Sequence, residues 1–259
     1  MHTSAPNYRP GWTSYLSHFT HYPVIIALDM GLATVAPVAG FDQYLTISIP
    51  MLEPLVNGFP NEKELGLFWE MERFIVKQME GTVDAIYAGR TTTQGKKHLI
   101  FFLYDPSKVA AIMAKVSQKY NTYAIQSRLE RDPEWDIYFD LLYPNLAETN
   151  SLLNRRMVNR LLRQGDDLTQ VRWVDHWIYF KTAEGRAAFM KTVEGQGFEV
   201  EPLATKSGEH HYPYLVRTRK QHSVDLKTVN TITATIRTWA TTYGGDYDGW
   251  ETAVSHPKK

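Results

Sequence analysis

Asp175 and His176 are the first residues in the chain to invite a chemical reading, because an aspartate can orient a histidine for proton transfer. They fall in a run, 171–180, that reads as a strand, and adjacent strand side chains point to opposite faces. The two cannot pair with each other. The chain has no cysteine and no Gly-x-Ser-x-Gly elbow, so His176 has no recognisable nucleophile to serve. His210, His211 and His222 raise the question of metal, but neighbouring strand histidines diverge and no Glu-x-x-His or His-x-x-x-His spacing supports them. No Gly-rich loop of P-loop or Rossmann spacing occurs either. The residue types therefore predict no catalytic group, no metal site and no cofactor.

The elements that must position these residues can be read from periodicity. Runs 12–19 and 22–28 read as a hairpin, 31–40 as a loop, and Tyr44-Leu-Thr-Ile-Ser-Ile49 as a strand by strict alternation. Asn61 with Glu64 has capping-box spacing before a helix over 65–79. Strands follow at 83–92 and 97–104, then a helix opened by Asp105-Pro106, then strands at 123–129 and 135–142. A helix is predicted over 146–163, stopped by Gly165. The order strand, helix, strand, strand, helix, strand recurs over 171–254, with Ser223 as the expected cap of a helix over 224–243. That order is the split βαβ arrangement, so the fold class is α+β: two ferredoxin-like domains with antiparallel sheets, 1–144 and 145–259. The last helix is rich in threonine, a poor helix former, and must rely on burying Val229, Ile232, Ile236, Trp239, Ala240 and Tyr243.

Four groups of side chains emerge once the elements are placed. Glu72 interrupts the apolar helical face of Leu65, Phe68, Trp69, Ile75, Val76 and Met79, and a buried carboxylate needs a partner. Arg90 or Arg128 could supply it, giving Glu72–Arg90 as the expected structural ion pair. Strand 171–180 puts Trp173, Asp175, Trp177 and Tyr179 on one face and Arg172, Val174, His176, Ile178 and Phe180 on the other. The next strand places Leu215, Arg217 and Arg219 on one side. Aromatics beside arginines on an uncovered sheet are what RNA-recognition sheets use; the competing expectation is that the first domain or the 146–163 helix covers this face, since a tryptophan patch is costly in water. On that helix Leu153, Met157 and Leu161 share a side, while Arg155, Arg156, Asn159, Arg160 and Arg163 gather on another, a stripe suited to solvent, RNA or an acidic partner. At the end of the chain, Tyr247, Gly249 and Glu251 would alternate with Asp248 and Trp250. Gly249 suggests a bulge, Trp250 an anchor, and Asp246, Asp248 and Glu251 are candidate partners for Arg172.

Composition narrows the function classes. Of 259 residues, 43% are hydrophobic and 22% charged, which fits a folded globular chain. No apolar run approaches the roughly 20 residues of a membrane-spanning helix. Residues 1–11 lack the apolar core of a signal peptide, and with the absence of cysteine a cytoplasmic location is expected. The zero net charge divides into 12 Lys+Arg against 16 Asp+Glu over residues 1–150 and 16 against 12 over residues 151–259.

Gly244-Gly-Asp-Tyr-Asp-Gly-Trp-Glu-Thr252, with Gly165-Asp-Asp-Leu168, Arg172-Trp-Val-Asp-His176 and Gly197-Phe198, resembles the family of ribonuclease E inhibitor B, the regulator of ribonuclease E activity. Asn57-Gly-Phe-Pro60, Glu64, Leu65, Arg90-Thr-Thr92 and the stretch 132–144 resemble domain of unknown function 695, a family with no assigned activity. The first resemblance implies a ferredoxin-like domain that binds an RNA-degrading endonuclease and modulates it without chemistry of its own. The best-known members of that family are strongly acidic, whereas residues 151–259 carry a net +4. The expected function is a non-catalytic regulator with a protein partner, and single-stranded RNA recognition or an uncharacterised enzyme is the alternative. The expected partner-binding set is Arg172, Trp173, His176, Trp177, Tyr247, Asp248, Trp250 and Glu251. Arg155, Arg156, Arg160, Arg163, Arg217 and Arg219 are the candidates for RNA or an acidic partner.

Overall fold

In the computed structural model, which describes residues 7–204 and 212–256, the chain forms two compact units, Met1–Pro144 and Asn145–Lys259. Both are α+β with the ferredoxin-like order. In the first, β3 (Gln43–Pro50), α1 (Glu62–Glu80), β4 (Ala85–Thr93), β5 (Lys96–Leu103), α2 (Val109–Lys119) and β6 (Gln126–Arg131) make the split βαβ repeat. The hairpin β1 (Trp12–Phe19) and β2 (Tyr22–Asp29) extends its sheet, giving the antiparallel order β1-β2-β4-β5-β3-β6. In the second unit, α3 (Leu146–Arg163) precedes β7 (Arg172–Phe180), α4 (Ala183–Glu194), β8 (Glu199–Ala204), β9 (Tyr214–His222), α5 (Leu226–Thr242) and β10 (Gly245–Glu251), with sheet order β10-β7-β9-β8.

Strict alternation explains the first core. Leu45, Ile47 and Ile49 of β3 and Leu99, Phe101 and Leu103 of β5 point to the same side and meet Phe68, Met71, Ile75 and Met79 of α1 and Ile112 and Val116 of α2. Asn61 caps α1 through Glu64 N–H at 3.0 Å. The Glu64 carboxylate turns outward from the helix start, accepts from Leu52 and Glu53 N–H, and receives the Tyr123 hydroxyl at 3.1 Å.

The opposite face of this sheet is covered by a segment whose sequence reads as a strand but which is helical. Residues Ile137–Leu142 form a π-helical turn. Asp132 is the cause: its carboxylate accepts from Asp136 and Ile137 N–H at 2.9 Å each, which holds the backbone in a turn. Trp135, fully buried, stacks on Phe102 with centroids 3.7 Å apart and planes 7° apart, and its Nε1–H donates to Phe41 O at 2.8 Å. Tyr138 donates its hydroxyl to Asp29 O. The period-2 reading of 135–142 therefore gives way to local hydrogen bonding and one large indole.

The second unit departs from the sequence reading in three places. Asp225, not Ser223, caps α5, accepting from Thr228 N–H at 3.0 Å; Ser223 instead donates its hydroxyl to the Asp225 carboxylate. The threonines of α5 turn their hydroxyls back on the helix, Thr235 to Thr231 O and Thr238 to Ala234 O, while Val229, Thr233, Ile236 and Ala240 are buried. On α3 the buried residues are Leu152, Asn154, Val158 and Leu161, so of the side expected to hold Leu153, Met157 and Leu161 the last is buried, Met157 is half-buried and Leu153 is exposed. The helix is rotated because Asn154 must face inward: Trp250 Nε1–H donates to its Oδ1 at 2.9 Å, and its Nδ2 reaches Asn230 and Thr233 at 2.8 Å.

Removing the indole that covers the first unit's second face leaves a large void. Trp135→Ala is expected to cost about 3–5 kcal/mol, measured as a loss of denaturant midpoint for the cooperative unfolding of the first unit.

Candidate functional site

A carboxylate on the buried face of a helix is stable only where cations reach it. Glu72 of α1 accepts from Arg90 Nη1 at 2.9 Å and from the Tyr87 hydroxyl at 3.0 Å on one oxygen, and meets Lys97 Nζ at 2.5 Å on the other. Lys97 is as buried as Glu72 itself, and burial lowers its pKa against the opposing pull of Glu72. Both cations lie 4.7 Å from the Trp69 ring. Arg128, the other candidate for Glu72, pairs with Glu130 instead at 2.6 Å. Lys97 could not be found from sequence, because its place follows from register across β4 and β5, where it stands opposite Thr92.

In the second unit the strand β7 divides the expected partner-binding set. Arg172 is a structural staple: Nη2 holds both Asp166 oxygens at 2.8 Å, Nη1 reaches Asp167 O and Nε reaches Thr252 Oγ1. Asp166, whose side chain is fully buried, also accepts from Ser255 N–H. Its partner is thus Asp166 rather than any of Asp246, Asp248 or Glu251. Arg172 is spent on tying the 165–168 loop to the strand that follows it and to the chain end.

His176, Tyr247 and Trp250 are buried rather than on the open surface of the sheet. The reason for Tyr247 and Trp250 is a bulge: β10 shifts register on β7 between Tyr247 and Gly249, so both aromatic rings turn to the helix side although their spacing is odd. Gly249 takes φ 152°, a region that strains any other residue.

The histidine chemistry is settled by a chain of hydrogen bonds. His222 Nδ1 lies 2.7 Å from Ser223 O and must carry the proton there, which leaves its Nε2 as an acceptor. His176 Nε2, 3.4 Å away, then donates to it, and His176 Nδ1 accepts from the Tyr247 hydroxyl at 2.9 Å. Both rings are neutral in this arrangement. Burial, with the His222 ring adding to it, pushes His176 down to about 3, and burial lowers His222 as well. His210 and His211 lie outside the described residues.

The other face of β7 is open, and α3 does not cover it: α3 packs its buried side on α5 and the Trp250 edge. Trp173 is 38% exposed, and Asp175, Trp177 and Tyr179 are half-buried. Across β9, Trp177 stands opposite Arg217 and Asp175 opposite Arg219; across β8, Glu201 stands opposite Arg217 and Glu199 opposite Arg219. Arg219 Nε donates to Glu199 at 2.8 Å and its guanidinium lies 4.4 Å from the Trp173 ring. Arg217 pairs with Glu201 and stays 3.9 Å from Asp175. On the far side, Asp175 faces Glu251 directly. Asp175 Oδ1 is buried and accepts no hydrogen bond. By register this face therefore carries five carboxylates (Asp175, Glu199, Glu201, Asp246 and Glu251) against the guanidinium groups of Arg217 and Arg219. Asp248, in the bulge, is exposed. Arg155, Arg156, Arg160 and Arg163 are exposed on α3.

This geometry defines a protein of two ferredoxin-like units, the second offering an uncovered sheet of tryptophans and carboxylates. The chain belongs to the family of unknown function DUF695, whose model matches residues 10–143, and residues 153–252 match the family described as regulator of ribonuclease activity B. No curated protein matches the sequence. A crystal structure titled as a candidate glycine cleavage system transcriptional repressor aligns over 82% of this chain and 98% of its own, at 10% identity and a TM-score of 0.21.

The sign of the histidine effect follows from linkage. With folded-state values below the ordinary 6.5, the unfolded chain binds more protons at acid pH, so stability is complete above about pH 6.5 and falls as the pH drops. His176 alone is expected to remove about 2 kcal/mol between pH 6.5 and 5. Hydrogen exchange of the β7 amides at pH 7.5 and 5.0 measures this loss, and His176→Gln should flatten it.

Proposed function

We propose that the chain is a non-catalytic, cytoplasmic regulatory protein that binds an RNA-degrading endonuclease through the open sheet face of its second unit and changes the rate of RNA turnover. The match of residues 153–252 to a family of ribonuclease regulators supports the class of partner. The observation that carries the mode of binding is the half-buried Asp175 carboxylate, which lies beside Glu251 and between Trp173 and Trp177, with one oxygen making no hydrogen bond and Arg217 no nearer than 3.9 Å. Like charges directly opposite on a sheet repel, and an acceptor without a donor is destabilising. A guanidinium from a partner relieves both at once and can lie on an indole. The complementary partner is a basic protein segment rich in arginine.

The same geometry weighs against single-stranded RNA. Arg217 and Arg219 are neutralised by Glu201 and Glu199, and a phosphate backbone would meet the surplus carboxylates. The positive balance of residues 151–259 resides elsewhere, in part on exposed Arg155, Arg156, Arg160 and Arg163. Global charge is therefore a poor guide to this face, and the contrast with strongly acidic relatives is milder at the sheet than over the whole half.

Affinity purification of the intact protein from its native cell, followed by reconstitution with the captured endonuclease, tests the reading. The ribonuclease is expected to be recovered, its cleavage rate is expected to change, and Asp175→Asn combined with Glu251→Lys is expected to weaken binding about tenfold or more. Recovery of no ribonuclease, together with RNA binding that falls steeply with salt, would replace this reading with RNA recognition.

A further inference from the structure

The second face of the first unit's sheet is covered only in part by Trp135 and Tyr138. Beside them a hollow of about 520 Å³ opens over β3, β4, β5 and β6, and Ile137 and Leu141 of the helical turn line it. Its floor is a row of polar side chains on three adjacent strands. Register places Thr91 of β4 opposite His98 of β5, and His98 opposite Ser48 of β3. Ser48 Oγ and His98 Nδ1 lie 2.8 Å apart, and His98 Nε2 makes no hydrogen bond with any described residue. Thr91 is 2% exposed, yet its hydroxyl makes no hydrogen bond with any described residue. The hydroxyl is not sealed off from the hollow, and the space it lines is large enough for a ligand.

The charges around this row have a definite sign. The one carboxylate in the lining, Glu130, is already occupied by Arg128 at 2.6 Å and by the Tyr44 hydroxyl. Lys96 is exposed at the rim and makes no ion pair among the described residues. His98 is held below its ordinary pKa by burial and then by Lys96, and Arg128 and Glu130 of β6 are the other charged groups in the lining. What is left unspent is a set of donors: the Thr91 and Thr46 hydroxyls, the Lys96 ammonium and an imidazole. The remaining walls, Phe19, Ile100, Ile137 and Leu141, are apolar.

We propose that this hollow binds a small organic anion, its carboxylate or phosphate head on Thr91, the Ser48–His98 pair and Lys96, and its apolar body against Phe19, Ile137 and Leu141. Nothing in this site depends on the second unit's partner, so it gives the first unit a ligand-binding role of its own. An anion seated beside His98 favours the imidazolium, so occupancy raises the pKa of His98.

The test follows the His98 ring signals of the full chain by NMR during titration with sodium hexanoate, hexyl phosphate and hexan-1-ol. At least one anion is expected to saturate the His98 shift and raise its pKa, binding about tenfold tighter than the alcohol. The stronger of the two anions identifies the head group. Thr91→Val removes an unpartnered hydroxyl at nearly constant volume, so the variant is expected to fold with an equal or higher denaturant midpoint. It should nonetheless bind the anion about fivefold or more weakly, as should Lys96→Met. A His98 signal indifferent to both anions, an alcohol that binds as well as they do, or a Thr91→Val variant with unchanged affinity would overturn the assignment.

Discussion

A split βαβ unit carries both of its helices on one side of its sheet, and every other feature of this chain follows from what becomes of the uncovered side. Strands bury a face only when something apolar lies on it. In the first unit that something is a single indole. Trp135 on Phe102, steered there by the Asp132 carboxylate and held by a bond to Phe41 O, converts half of the free face into a second core and leaves the other half as a walled hollow. In the second unit no such segment lies on the face among the described residues, and it is dressed instead with alternating tryptophans, arginines and carboxylates.

The two uncovered faces solve the same problem with different chemistry. A polar row beneath an apolar roof suits a small molecule, since the roof excludes water and the row orients the head group. A flat ladder of rings and charges suits a macromolecule, since rings supply contact area and a surplus of carboxylates over guanidinium groups favours a basic segment. The buried polar groups of the second unit serve neither purpose. Arg172 with Asp166, His176 with Tyr247 and His222, and Trp250 with Asn154 are complete in themselves. They tie the loop, the strand and α3 together on the helix side of the sheet.

Alternation and capping residues made most of the fold legible in the sequence. The β3 pattern Leu45, Ile47, Ile49 and the Asn61–Glu64 box lead directly to the first core, and the repeated element order leads to two ferredoxin-like sheets. The division of β7 into an aliphatic and an aromatic face was equally legible. What was hidden has a common cause, which is that it depends on register or on a tertiary hydrogen bond. Lys97 meets Glu72, and Ser48 and Thr91 flank His98, only because strands far apart in sequence pair in a particular frame. The helical turn at 137–142 and the rotation of α3 each hinge on one polar side chain, Asp132 and Asn154. Periodicity has no term for such bonds.

The bulge at 247–249 has a consequence for how this protein can change over time. It works as a phase shifter: upstream and downstream of Asp248 the strand runs in opposite parity, and the extra residue lets two rings three positions apart enter the same interior. Loss of Asp248 alone would close the bulge into a regular ladder, with Tyr247 still opposite Ile178 and Trp250 still opposite His176, whereas loss of two residues would turn the indole outward and the glutamate inward. The inward placement of the two rings therefore survives the removal of one residue from this stretch but not of two.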